Sequence, residues 1–444
     1  MRCGRSLSPT ALGPAATRAS PGCSGSTRSA SAASCWRLPG GGVAFRRPPG
    51  ARWPPMARLL GGPAGPLAMP SSRHLIGELE SANLLGRGGA AFPVGRKWRA
   101  VAERASGRAV VLANGAEGEP LSLKDRTLMA TRPHLVIDGA LLAAEAVGAP
   151  DIIIYVGAKH RAAEAAIRGA LAERSNQLRS RVRMMSAPDG YVAGEESAAV
   201  HFINAGDARP TTTPPRPFER GVDGRPTLVQ NVESLAMAAQ IARGIDANTG
   251  LVTVSGAVRK PGLQEIDLGW TFSDVAAAAG GLARPVQAVL LGGYFGAWAP
   301  VDEVWALPIA APSLRARGFT LGCGVVHALS EDACGVDATA RIMAYLASQS
   351  ARQCGPCLFG LHAIGECVRR LAARSPQASD LDRLSRWSGQ LAGRGACKHP
   401  DGAAGLLGSA LSVFADDFAA HQQRRCLRRS TSHPASLQPV AAVA

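Results

Sequence analysis

From Gly107 to Gln240 the chain alternates short β-branched and aliphatic runs with Ala-rich stretches of helical spacing, and that alternation limits the fold more than any other feature. Residues 109–113 (AVVLA), 151–156 (DIIIYV) and 181–185 read as strands. Residues 134–147, which follow Pro133, and residues 158–174 and 195–203 read as helices. Such β-α-β order predicts a parallel sheet covered by helices, whose ligands bind at the carboxyl ends of the strands. Past residue 250 the pattern changes. Residues 251–255 (LVTVS) are β-branched, Gly256, Pro261 and Gly262 mark a hairpin, and a short helix over 272–279 precedes a strand over 289–291. From about Asp332 onward the spacing is helical, over 338–349, 358–372, 379–391 and 403–420, which predicts a small bundle. The predicted divisions are an α/β domain over 73–247, a small mixed β domain over 248–330 and a helical domain over 331–421.

The net charge of +16 points first to nucleic acid. Its distribution argues against that reading. Ten arginines precede the first acidic residue, Glu78, and Arg424, Arg425, Arg428 and Arg429 crowd the other end, while the middle is close to balanced. Residues 1–72 are rich in Ser, Gly, Pro, Ala and Arg and read as a disordered leader. An organelle transit peptide fits this composition. So does an overextended reading frame, with Met56 or Met69 as the true start, and that is the favoured reading. Residues 422–444 read as a disordered basic tail. The most apolar stretch, 134–147, is too short to span a bilayer and carries Asp138 and Glu145. A soluble protein is expected, able to dock on a membrane partner.

Three segments carry chemistry. Residues 86–98 read GRGGAAFPVGRKW. Glycines let a backbone approach a ligand and aim N–H groups at phosphate, and Arg87 and Lys97 offer charge to the same anion. The segment fits neither a P-loop nor the G-x-G-x-x-G fingerprint, and a solvated turn would look alike. Residues 114–120 (NGAEGEP) close the first strand, with Lys124-Asp125-Arg126 beyond. Asn114 donates and accepts, which suits a flavin's pyrimidine edge or ribityl hydroxyls; the bland reading is a loop of solvated carboxylates. Residues 191–197 (YVAGEES) open a helix, where Glu195 and Glu196 complement the dipole and read equally as cap or ligand.

Taken in order, these segments resemble the flavoprotein subunit of respiratory complex I, the 51 kDa or F subunit, and its relatives in NAD-linked hydrogenases and formate dehydrogenases. The family patterns are G-R-G-G-A-G-F-P-x-G-x-K-W, N-x-x-E-x-E-P followed by K-D-R, and Y-x-x-G-E-E-[ST]-A. A fourth, P-T-x-V-x-N-V-E-[ST], matches PTLVQNVES over 226–234. The resemblance runs from about Leu75 to Phe418. It implies an α/β protein: a Rossmann-like FMN-binding parallel sheet, then a ubiquitin-like (β-grasp) domain, then a helical iron–sulfur domain. It implies a cofactor site in which FMN is held by Gly86, Arg87, Gly88, Lys97, Asn114, Glu117, Glu195, Asn231 and their neighbours Gly89, Tyr191, Gly194 and Glu196, with Phe92 and Glu119 on the nicotinamide side and Glu117 also as the catalytic carboxylate. It implies an FMN-dependent NAD(P)H dehydrogenase that passes electrons through an iron–sulfur centre. The acceptor would be a ferredoxin-like or thioredoxin-like partner or a quinone-reducing membrane reductase. The setting would be cytoplasmic, peripheral at the inner face of a membrane.

Two departures stand out. Where the family has K-P-P-F, this chain has Thr213-Pro214-Pro215-Arg216, so a guanidinium replaces an aromatic face on the nicotinamide side. NAD(H) is therefore a weaker expectation than FMN, and a flavin relay that no longer accepts NADH, or a noncatalytic subunit, is the alternative. The family's E-S-C-G-x-C-x-x-C-R becomes QSARQCGPCL, with Ala351 at the first cysteine. Three thiols remain, Cys354, Cys357 and Cys397, with His399 or Ser350 to complete a set. A [4Fe–4S] cluster with one noncysteine ligand is the leading expectation; a zinc site in Cys354, Cys357, Cys397 and His399 and three buried thiols are the others. Cys323, Cys334 and Cys367 read as structural, and His134 as a packing or capping residue.

Overall fold

The computed structural model describes residues 59–61, 65–66, 68–246 and 248–428, together with two short strands, β1 (Cys35–Arg37) and β2 (Val43–Phe45). These two pair antiparallel within a unit of their own, Met1–Trp53. Most of the expected leader, and the tail beyond Arg428, lie outside the described residues.

In the unit Pro54–Ala444, β3 (Val110–Gly115), β4 (Asp151–Gly157), β5 (Val182–Ala187) and β6 (Thr227–Asn231) form an all-parallel sheet in the order β5-β4-β3-β6. Strands β3 and β4 are almost wholly buried, as a parallel sheet covered on both faces requires. Helix Pro133–Val147 follows β3; Pro133 fits its first turn, and Gly148, in the left-handed region, ends it. From β3 the chain winds outward to β4 and β5, and β6 is then added on the other side of β3. The winding reverses between β3 and β6. In sheets of this kind that reversal opens a crevice at the strands' carboxyl ends. Asn114 and Asn231 lie there, in register with each other.

The second sheet contains β7 (Thr249–Gly256), β8 (Gly262–Asp267), β9 (Val286–Leu291), β10 (Ala297–Pro300) and β11 (Val325–Ser330), in the order β10-β9-β11-β7-β8. Only the central β7–β11 pair is parallel. With the helix Phe272–Ala278, whose start is fixed by a Thr271–Asp274 capping box, this is β-grasp order.

The helical domain differs from expectation at its end. The single helix read over 403–420 is two, His399–Val413 and Ala415–Gln422, bent by 86°. The break falls at Phe414, at φ −111° and ψ 31°. Its ring packs 5.3 Å from that of Trp298, and against Gly335, where a side chain would collide with it. Burying a phenyl ring is worth about 2–3 kcal/mol, more than the helical hydrogen bonds given up at the bend. The segment past Gln422 also stays on the bundle, with an Arg428 Nη1 hydrogen bond to the Glu331 carbonyl at 3.1 Å. Among the described residues no single helix is long and apolar enough to cross a membrane; the bent pair passes on composition.

Candidate flavin and cysteine sites

The glycine-rich loop is closed at its base. Gly86 N–H donates to the Phe92 carbonyl and Val94 N–H to that of Leu84, both at 2.9 Å. Within it, Gly88 lies against Asn231, whose Cβ would be 3.4 Å from one built on the glycine. Asn231 caps helix Val232–Ile241, its Oδ1 accepting from Glu233 N–H at 3.0 Å, and its Nδ2 reaches the Asn114 carbonyl at 3.4 Å. Asn114 Nδ2 in turn donates to the Gly194 carbonyl at 2.8 Å. Lys97 and Glu196 pair directly at 2.9 Å. Gly118 lies so close to Tyr191 that a Cβ there would stand 2.8 Å from its carbonyl oxygen. Four segments far apart in sequence thus meet at the carboxyl ends of β3 and β6. Gly88, Gly118 and Gly194 let these segments pack closely on one another, whereas nothing lies within 4 Å of the position where Gly89 would carry a side chain. A backbone-walled cleft at a strand-order reversal, with Lys97 beside it, fits FMN.

Beneath the cleft runs a buried charged network. Lys124 Nζ lies 2.6 Å from Asp125 Oδ1, 3.1 Å from Glu233 Oε2 and 3.4 Å from Asn231 Oδ1. Asp125 Oδ2 accepts from Asn231 Nδ2 at 2.8 Å. Burial pushes the Asp125 carboxyl up against the opposing charge of Lys124, and the surrounding carboxylates outweigh burial at Lys124 and hold its ammonium firmly charged. Lys124, Asp125 and Glu233 fix Asn231, and none of them was among the expected site residues. The signal lay in the K-D-R and N-V-E-S runs, whose charges are conspicuous in otherwise apolar surroundings.

Several expected ligands serve other partners. The Arg87 guanidinium turns to the Thr249 carbonyl, 3.3 Å away, and to Glu233, 4.0 Å away, while its N–H donates to Ser234 Oγ at 2.9 Å. Arg87 therefore ties the loop down through both its side chain and its backbone N–H. Glu117 accepts from Ser122 Oγ (2.7 Å), Asp125 N–H (2.9 Å), Arg126 N–H (3.1 Å) and Arg126 Nε (2.7 Å). Burial works against its charge, but Arg126, Lys124 and these donors hold its carboxyl below the usual range. Four donors saturate both oxygens of Glu117, so in this structure it positions the Lys124–Arg126 turn and presents no free carboxylate oxygen. Glu195 caps helix Glu196–Ala205, accepting from Ser197 and Ala198 N–H at 2.9 and 3.0 Å, so one of its oxygens is committed. Phe92 is half exposed, with the Arg96 guanidinium 5.9 Å from its ring centre. His134 is buried between Arg174 and Glu173, a packing residue as expected.

Glu119 and Tyr191 lead away from the cleft. Glu119 Oε2 accepts from Tyr191 Oη (3.0 Å) and Tyr294 N–H (2.8 Å). Burial raises its carboxyl to about 7, despite those donors. The Tyr191 ring meets Phe295, Tyr345 and His399 edge-on at 4.7, 5.9 and 5.9 Å. The flavin loops therefore abut the β-grasp and helical domains through one aromatic cluster.

At the cysteine site, Cys357 hydrogen-bonds Cys354 and Ser350 and senses Cys397, and burial raises its thiol to about 11. Cys397 in turn senses Glu195, and its sulfur accepts from the His399 N–H. The His399 ring points elsewhere: Nε2 is 2.8 Å from the Leu346 carbonyl, and Nδ1 is buried with no hydrogen-bond partner. Among the described residues, the thiol–imidazole set whose ligand atoms all lie within 4.8 Å of one another is Cys334, His421 and Cys426, not the expected Cys354, Cys357, Cys397 and His399. The looser spacing counts against a single zinc ion there, because one ion draws all its ligand atoms into one shell. A cubane, which offers a separate iron at each corner, suits it better. Ser350, on Cys357, is better placed than His399 to complete the set.

Comparison with known proteins identifies these domains. Residues 79–240 match the Nuo51 FMN-binding domain, 251–293 the SLBB domain and 337–421 the iron–sulfur binding region of NADH-ubiquinone oxidoreductase F. The F 2 subunit of the NADH-quinone oxidoreductase of Rhizobium meliloti is 33% identical over 80% of this chain and 90% of its own length. The chain belongs to the family of these F subunits. The F subunit of the Escherichia coli NADH-quinone oxidoreductase is 30% identical over 79% of this chain and 84% of its own. An NAD+-reducing [NiFe]-hydrogenase structure superposes with a TM-score of 0.70 at 28% identity; the match covers 81% of this chain but only 63% of the hydrogenase chain. The relatives among the F subunits are oxidoreductases, and the expected order of FMN-binding, β-grasp and iron–sulfur domains is the one found.

The segment expected to depart from the family pattern, residues 213–216, lies beside helix Glu196–Ala205. Arg216 Nη1 stands 3.9 Å from Glu196 Oε1, which also has Lys97 for a neighbour through its other oxygen. Thr211, Pro215 and Pro217 line a cavity of about 300 Å³ beside helix Glu196–Ala205, shared with Ser197 and His201.

Proposed function

We propose that this chain is the flavoprotein subunit of an FMN-dependent NAD(P)H dehydrogenase. One observation carries the reading: Asn114 and Asn231 stand in register at the reversal between β3 and β6, with Gly88 and Gly194 packed on them. FMN, when bound, supplies the exchange between hydride transfer and single-electron transfer. The chain's own residues place it. Backbone N–H groups of Gly88 and Gly89 and the Lys97 ammonium are read as facing the phosphate and Asn114 as holding polar atoms of the ring or ribityl chain, while Asn231, committed to the Lys124 network and to the Asn114 carbonyl, keeps Asn114 fixed. Cys354, Cys357 and Cys397, with Ser350, would hold a [4Fe–4S] cluster, which supplies one-electron storage near the surface. Leu358 and Phe359 are exposed next to Cys357, an apolar surface suited to a ferredoxin-like or thioredoxin-like electron acceptor. The setting proposed is the cytoplasm, at a membrane-bound reductase.

The test is anaerobic purification with flavin and iron quantitation, followed by NADH titration watched at the flavin band. The proposal expects about one FMN per chain and bleaching by NADH; colourless protein after reconstitution with FMN would sink it. Ala351→Cys should raise iron toward four per chain and sharpen the cluster's electron paramagnetic resonance signal; unchanged iron counts against the cysteine assignment. The Arg216–Glu196 contact favours a second reading, a relay that takes electrons from another protein. Flavin that dithionite bleaches and NADH does not would select it.

A further inference from the structure

A second group of metal-type ligands lies in the helical domain, on residues that the flavin and cluster assignments do not use. Cys334 Sγ stands 3.3 Å from His421 Nε2, and together with Cys426 Sγ the ligand atoms all lie within 4.8 Å of one another. Tetrahedral zinc, with bonds of about 2.3 Å to sulfur and about 2.0 Å to nitrogen, sets a sulfur and a nitrogen ligand about 3.6 Å apart. The sulfur–imidazole separation here is within a few tenths of an ångström of that.

The ligands come from separate parts of the domain. Cys334 is the N-cap of helix Gly335–Ser348, His421 lies at the end of helix Ala415–Gln422, and Cys426 follows in the segment beyond. The imidazole is already oriented. Its Nδ1 lies 2.8 Å from the Leu371 carbonyl. A proton on Nδ1 donates to that oxygen and leaves the Nε2 lone pair aimed at the thiols, the arrangement metal-ligating histidines adopt. The segment bearing Cys426 is held over the site by Arg428, which reaches the Glu331 carbonyl at 3.1 Å and Asp417 Oδ1 at 3.5 Å. Asp417, one helical turn before His421 on the same face, is 3% exposed, and its Oδ2 has no hydrogen-bond partner. An unsatisfied carboxylate oxygen in a buried position is costly unless something positive or a donor meets it.

We propose that Cys334, His421 and Cys426 bind one zinc ion, with water at the fourth corner on the partly open Cys426 side. The charges suit it: two thiolates and a neutral imidazole offset a divalent ion, so the buried centre carries no net charge. Soft sulfur ligands select zinc over magnesium or calcium. Binding displaces the two thiol protons. The ion staples the C-terminal segment to the starts and ends of two helices, and the assignment stands whether or not the flavin reading does.

The experiment uses the full chain, prepared anaerobically, with metals quantified after dialysis. About one zinc per chain is expected in the wild type and in a C354S/C357S/C397S variant, and less than a tenth of that in C426S and H421Q. Cobalt substitution of the C354S/C357S/C397S variant should give an intense sulfur-to-cobalt charge-transfer band, and this measurement does not require the C426S or H421Q variants to fold. Absence of zinc and of that band would overturn the proposal. So would zinc that disappears with Cys354, Cys357 and Cys397 but persists in C426S.

Discussion

The strand-end cleft and the cysteine site belong to the same family inheritance, yet they tolerate change differently. At the cleft, position depends on backbone: two strands in register, glycines that admit close approach, and asparagines locked by a buried ion network. A change in any one of these disturbs the others. At the cysteine site, position depends on a few side chains around a turn, Cys354 and Cys357 with Ser350, and on Cys397 from another loop. There one residue, Ala351, can stand where the family has a ligand without disturbing the chain around it. The difference teaches that a site built from main chain degrades as a whole, whereas a site built from side chains can lose one ligand at a time.

The sharpest way to break that comparison is Lys124→Met. It strands Asp125 and Glu233 as uncompensated buried carboxylates and releases Asn231. Removing one partner of a buried ion pair costs about 3–5 kcal/mol, read as a lower denaturation midpoint, and FMN retention should fall at least tenfold. Metal content in the helical domain should hold under conditions where the variant remains folded. If flavin retention and stability are both untouched, the network does not position the cleft.

Glu119 sits where the two regions meet, on Tyr191 and Tyr294. Its carboxyl ionises near the ordinary 4.5 when unfolded and is raised to about 7 by burial when folded. The folded state therefore holds the proton more tightly. This contribution to stability is fully present below about pH 4.5 and is lost as pH rises to about 7, beyond which it is constant. That shift corresponds to about 3 kcal/mol at most. Wild type and Glu119→Gln, compared by denaturant unfolding across pH 4.5 to 8, should diverge by an amount approaching this value, in favour of the variant at high pH. A pH-independent difference would remove Glu119 as the titrating link between the two regions.

The parallel sheet was legible because short continuous apolar runs and helical runs alternate from Val110 to Ile203. Its strand order was not, because β6 (Thr227–Asn231), which pairs with β3, reads in sequence only as part of a motif and not as a strand. The cleft was legible as a set of residues, since glycines and asparagines at strand ends have few other uses. Their individual roles were not. Arg87 and Glu117 look like ligands in sequence, but their partners, Glu233 and Thr249 for one and the 122–126 turn for the other, are fixed by tertiary contact. The bend at Phe414 was illegible for the same reason: the sequence around it is helical, and only the pocket beside Gly335 and Trp298 makes a break favourable. The Cys334–His421–Cys426 group was hidden because Cys334 is distant in the chain from the other two and Cys426 was assigned to a disordered tail.

The smallest effect tests the backbone half of the comparison. The family pattern has glycine where this chain has Ala91, in the loop over residues 86–98. Ala91 adopts φ +48°, in the left-handed region, where a Cβ crowds the following carbonyl. Its carbonyl also accepts from Arg315 Nη2 at 3.3 Å, an interaction that a change of side chain leaves intact. Ala91→Gly should therefore relieve strain worth about 1 kcal/mol, partly offset by the greater freedom of glycine in the unfolded chain. The expected result is a small rise in denaturation midpoint and unchanged or slightly tighter FMN binding, measured by fluorescence quenching of the free flavin. A loss of stability would mean that the loop is not held in the left-handed conformation at residue 91. The cleft would then tolerate single substitutions as the cysteine site does, and the distinction between the two regions would fail.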